Sequence, residues 1–136
     1  MFLVDTNVIS EARKGSRANV GVREFWQSAH EADLFIAVHT VGEIRRGLET
    51  IRQRGDLVQA NKLESWLDVV TTNYADHILD FDLDCAQVWG RLMSPSPQHP
   101  VDKQIAAIAL IHDLSVVTRN IKDFNGLGVR LVNPFR

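Results

Sequence analysis

The chain has 136 residues, 45% hydrophobic and 24% charged, with a formal net charge of −2 and a pI of about 6.2. This is a globular composition that excludes wholesale disorder, and it is too acidic for a protein that holds nucleic acid by net charge alone. Cys85 is the only cysteine, which excludes an internal disulfide and a Cys-based zinc site. A reducing, cytoplasmic setting fits. No apolar run approaches the roughly 18 residues of a membrane helix, and the charge at Asp5 comes too early for a signal peptide, so no membrane role is expected.

Phe2-Leu3-Val4 is a short apolar run, and Asp5-Thr6-Asn7 after it are three capping types. A buried strand feeding a helix over about 7–14 is predicted, with Gly15 as its stop. Val20, Val22, Phe25, Trp26 and Ala29 share a face of a second helix over 20–31. Residues 34–38 read as a second strand. Val41, Ile44, Leu48 and Ile51 place a helix over 41–53, which Gly55 breaks, and Leu57 to Val70 mark another, to about 72. A short strand is expected over 77–81 and a helix over 83–93. The proline-rich stretch 94–100 is a loop, and 102–113 is an Ala/Ile-rich helix, apolar almost all round and so buried. Residues 115–118 and 130–133 supply the last strands.

Strands alternate with helices and are continuously apolar, the pattern of a parallel sheet covered on both faces. The expected fold is a single α/β domain over residues 1–136, a three-layer α/β/α sandwich around a mostly parallel sheet of about five strands. In such sheets ligands sit outside the carboxyl ends of the strands.

The acids fall where that rule points. Asp5 ends the first strand, Glu43 lies in the first turn after the second, and Asp102 opens the buried helix. Asn120 and Asp123 follow the fourth strand. Each position has a plain capping explanation: Thr40-Val41-Gly42-Glu43 fits a capping box, and Asn120 with Asp123 fits an N-cap with an acid three residues on. Together they need more, because gathered carboxylates repel unless a cation sits among them. Oxygen donors without cysteine or paired histidine suit Mg²⁺ or Mn²⁺. Such a centre can polarise a phosphodiester and activate water.

Other motifs carry less. Asp80, Asp82 and Asp84 begin like a calcium loop, but Cys85 and Arg91 stand where it needs Gly and Glu. The five histidines show no metal-type spacing. Trp26, Trp66 and Trp89 follow helical periodicity and are expected in the core. Residues 45–54 carry four arginines against Glu49, and solvated pairing explains them as well as RNA binding does.

Asp5-Thr6-Asn7 after an apolar strand, Gly42-Glu43-Ile44 with Gly47, Asp102 before Ile105-Ala106-Ala107, and Thr118-Arg119-Asn120 with Asp123-Phe124 resemble PIN-domain ribonucleases. The opening MFLVDTNVISE and the ending NPFR look most like the VapC/FitB-like branch, toxins of bacterial toxin–antitoxin pairs. The resemblance covers nearly the whole chain. It implies Mg²⁺- or Mn²⁺-dependent RNA cleavage, a homodimer, and a cognate antitoxin that blocks the site and reaches promoter DNA through its other end. It also implies metal ligation at Asp5, Glu43 and Asp102, with a fourth acid at the position of Asn120 or of Asp123. Here the nearer position is an amide, so Asp123 is expected to take over. Thr6 and Thr118 would steady the carboxylates, and Arg45, Arg46 and Arg119, beside the motifs, would hold RNA phosphates. Two rival readings are a receiver-like phosphoacceptor, which lacks its usual paired acids and late lysine here, and a catalytically silent interaction domain.

Overall fold

The computed structural model describes the chain from Met1 to Arg136. Five strands, β1 (Phe2–Val4), β2 (Leu34–Ala37), β3 (Ile78–Leu79), β4 (Ser115–Val117) and β5 (Leu131–Val132), form one sheet in the order β3-β2-β1-β4-β5. Every neighbouring pair is parallel. The helices are α1 (Thr6–Ala12), α2 (Val20–Ser28), α3 (Val38–Gln53), α4 (Leu57–Asn73), α5 (Leu83–Met93), α6 (Pro100–Ile111) and α7 (Ile121–Phe124).

The strands are apolar throughout because both of their faces are covered. Leu3, Ala37 and Val116 point into one core with Cys85 of α5, Ile105 and Ile108 of α6, and Phe124 of α7. Their chain neighbours Val4, Ile36 and Val117 point into a second core with Val8, Val22, Ile44, Leu48 and Leu67, from α1 to α4. Alternate residues thus feed opposite layers, as the period of a strand requires. Each fully buried Val or Leu side chain contributes about 1.5–3 kcal/mol to this arrangement.

Three details differ from the sequence-based expectation. β2 ends at Ala37, where its pairing with Leu79 of β3 ends, and the unpaired chain turns into α3 at Val38 instead of at residue 41. Thr40 therefore lies inside the helix, 1% exposed, and the capping box with Glu43 does not form. α6 begins two residues before Asp102, because Pro100 sits at its first position, where a fixed φ and a missing N–H cost nothing. Trp26 and Trp66 pack against the second core, as expected, but are only half-buried and also line an open groove of about 420 Å³.

The C-terminal tail closes against α2. Asn19 caps that helix, and its amide also accepts from the Arg136 N–H (3.1 Å) and donates to the Arg136 carbonyl (2.8 Å). A Cβ at Gly21 would collide with the carbonyl oxygen of Pro134, so this close approach requires glycine.

Candidate metal centre

The strand order reverses at β1, which lies between β2 and β4, and all strands run the same way. In parallel sheets such a reversal point, here at the carboxyl ends of β1 and β4, is where ligands bind. Asp5 follows β1 directly, and its N–H extends the ladder to the Val117 carbonyl at 2.9 Å.

Asp5 is 6% exposed. Its carboxylate accepts from the Thr6 N–H (2.9 Å), the Asn7 amide (3.1 Å) and the Thr118 hydroxyl (2.8 Å). Thr118, wholly buried, in turn accepts from the Asn7 amide and from the Asn120 N–H (3.0 Å). The Asn7 side-chain Oδ1 accepts from the Arg119 N–H (3.0 Å). Thr118 thus steadies Asp5, and Asn7 clamps the start of α1 to the end of β4. The hydroxyls of Thr6 and Thr40 share a 3.0 Å hydrogen bond that ties α1 to α3.

Glu43 lies in the second turn of α3, beyond any capping position. The residue is exposed, yet its carboxyl is pushed above the ordinary 4.5. Loss of surrounding water is the first cause and the charge of Asp5 the second; a hydrogen bond with Thr6 opposes them, Asp102 adds to them, and Arg46 opposes. Asp102, in the first turn of α6, is pushed above 3.8 by partial burial, then by Asp5 and Asp123, with His99 opposing. Glu43 thus feels the charges of Asp5 and Asp102, and Asp102 those of Asp5 and Asp123, and no lysine or arginine forms an ion pair with any of the four.

The histidines show no metal-type spacing among themselves, yet the fold brings His99 beside two of the acids. His99 precedes Asp102 by one helical turn, in the left-handed conformation (φ 55°) at the start of α6. Its Nδ1 lies 3.8 Å from Asp102 and its Nε2 lies 3.7 Å from Asp123, too far for hydrogen bonds. One donor atom from each of the three residues falls within 4.8 Å of the others. An oxygen-rich set with one imidazole fits a divalent cation such as Mg²⁺ or, with the nitrogen engaged, Mn²⁺.

The remaining positions divide. Asn120 starts α7, but its side chain makes no capping bond; the turn is closed by its backbone N–H on Thr118. Arg45 is engaged by Glu49 and Glu64 on the outer side of α3 and α4, so its guanidinium is not free for phosphate. Arg119 lies over the Phe135 ring at 4.8 Å, and Arg46 is exposed beside Glu43. Asp82 caps α5 through the Cys85 N–H, which gives that acid run a structural role. His39, unremarked in the sequence, bonds Gln104 at 2.7 Å and so joins the helix of Glu43 to that of Asp102. A pairing 65 positions apart leaves no local signal, whereas the i, i+3 spacing of His99 and Asp102 was readable.

The PIN domain family model matches residues 2–128. A VapC ribonuclease, Y4jK of Sinorhizobium fredii, is 32% identical over 143 residues, covering 99% of this chain and 98% of that protein. Toxin FitB of Neisseria gonorrhoeae is 30% identical over 142 residues, covering 99% of both. The crystal structure of FitAcB from Neisseria gonorrhoeae superposes with a TM-score of 0.87 at 31% identity, covering 98% of each chain. A structure of FitAB bound to a DNA fragment gives 0.84 at 29% identity, covering 100% of this chain and 96% of that one. With the all-parallel sheet and with acids following β1 and β4, these matches place the chain in the PIN-domain family, among relatives named VapC ribonuclease and toxin FitB.

Proposed function

We propose that the chain is a metal-dependent endoribonuclease acting in the cytoplasm as the toxin of a toxin–antitoxin pair. The observation that carries this is that Asp102 and Asp123 share a cluster with His99, that Asp102 feels the charge of Asp5 and Glu43 those of Asp5 and Asp102, and that none of these acids has a lysine or arginine ion-pair partner. A capping role does not account for Glu43, which lies past the first turn of its helix. Family membership supplies the reaction class.

Asp5 and Asp102 would hold a divalent ion, Mg²⁺ or Mn²⁺, with Asp123 and His99 beside Asp102 as further donors. A bound ion supplies positive charge to a phosphodiester under attack by water. Asp5 is held in position for this by Thr118, Thr6 and Asn7. Glu43 orients the attacking water and takes its proton at a carboxylate oxygen. Arg46 and Arg119 line the approach and hold RNA phosphates. The products are a 5′-phosphate and a 3′-hydroxyl. By likeness to FitAcB and FitAB, the partners are a cognate antitoxin, a second copy of this chain, and DNA reached only through the antitoxin.

Expression without an antitoxin is expected to arrest a bacterial host, and Asp102→Ala to relieve the arrest. Equal toxicity of the two proteins at equal expression would overturn catalysis as its cause.

A further inference from the structure

Beside the acidic cluster, and sharing His99 and Asp123 with it, lies a cleft of about 390 Å³, whose lining includes Arg91 of α5, Ser96 of the proline-rich loop, Lys103 of α6 and Lys122 of α7. This size falls within the roughly 300–1,000 Å³ of small-molecule sites.

Lys103 is 6% exposed, yet no carboxylate pairs with it. Its Nζ donates to the Ser96 carbonyl at 2.7 Å, the one hydrogen bond it forms. An ammonium carries three donors, and a buried cation is costly unless paired. Arg91 and Lys122 are exposed, and neither forms an ion pair or a side-chain hydrogen bond. Three cations thus face one cleft whose single acid, Asp123, belongs to the metal centre next door. A cation bound at Asp123 would leave the cleft's field wholly positive, so its ligand is an anion. On α3, by contrast, Arg45 and Arg52 are each paired with glutamates.

We propose that this cleft seats a backbone phosphate of the RNA strand next to the one that is cut, with Lys103 as its buried anchor and Arg91 and Lys122 as its rim. The proposal rests on the ribonuclease reading. It explains why Lys103 is buried without an acid. It also gives the proline-rich loop a role, since the Ser96 carbonyl holds Lys103 in place while His99 forms the wall shared with the metal centre.

The test is binding of a fluorescently labelled single-stranded RNA oligonucleotide in EDTA, read by anisotropy across a salt series, so that no cleavage interferes. Arg91→Gln and Lys122→Gln, both at exposed positions, are each expected to weaken binding about 3–10-fold and to lower the slope of log affinity against log salt by part of the roughly 0.7 that one phosphate contributes. Lys103→Met should lose at least as much, and the two rim variants carry the test if it fails to fold. Wild-type affinity and slope in both rim variants, with a wild type that cleaves RNA once Mn²⁺ is added, would overturn the cleft and leave the ribonuclease standing. A wild type that neither binds nor cleaves RNA would overturn both. Weakened binding of an antitoxin chain with RNA binding unchanged would assign the cleft to protein and overturn the proposal.

Discussion

Helix α3 carries two glutamates, Glu43 and Glu49, whose surroundings act on them in opposite directions. Glu49 accepts from Arg52 and Arg45, and these bonds hold its carboxyl below 4.5; Glu64 of α4 joins the same network and is lowered first by Arg45. Glu43, nearer the sheet, is raised, first by loss of surrounding water and then by the charges of Asp5 and Asp102. One end of the helix balances its charges within the chain, and the other leaves like charges together. The balanced region is complete as it stands. On the proposed reading the unbalanced region is completed by a divalent ion, and that contrast separates a structural salt network from a candidate site.

The strongest way to break the comparison is Asp5→Asn. Asparagine can still accept from the Thr6 N–H, so the fold should persist, while RNA cleavage should fall by more than the roughly 10–100-fold that changes around a metal ligand cost. Circular dichroism and a cleavage assay read the two effects, and a folded, fully active variant would remove Asp5 from the centre. Asp123→Asn should weaken Mn²⁺ binding by at least about tenfold in calorimetry. Asn120→Ala should leave affinity intact and stability within about 0.5 kcal/mol, because its side chain caps nothing.

Metal and pH sharpen the contrast further. A divalent ion at 100-fold above its Kd should stabilise the protein by about 2.7 kcal/mol, visible as a higher Tm near neutral pH. Glu43 and Asp102 both have folded pKa values above their ordinary 4.5 and 3.8. As pH rises the unfolded chain loses those protons first, so their part of the metal-free stability falls through a window opening at about pH 4 and ending above the raised values. The metal-induced shift in Tm should accordingly shrink as pH falls into that window. A shift independent of pH would mean that ions bind elsewhere.

Smaller effects are expected from single bonds. Thr118→Val removes the buried donor to Asp5 and the acceptor of the Asn120 N–H, and should cost about 1–3 kcal/mol by denaturant unfolding. Glu64→Gln, in the balanced region, should change Tm little at physiological salt and leave RNA cleavage untouched.

Much of the architecture is legible from local chemistry. Apolar runs of strand length, helical periodicity and glycine stops lie close to where the strands and helices form, and the position of Asp5 after β1 follows from them. These signals are written within a few residues of one another, so the sequence carries them without knowledge of the fold. What tertiary structure alone decided is where pairing runs out and which distant groups meet. β2 stops at Ala37 because Leu79 is its last partner, and that moved Thr40 from a cap to a buried link with Thr6. Arg45, a candidate for RNA by its place beside Glu43, is taken by Glu64 across the α3–α4 contact. His99 enters the acidic cluster because Pro100 starts α6 early and α7 brings Asp123 to the same edge. Pairings of this kind join residues tens of positions apart, and their energies depend on distances that only the packed layers set.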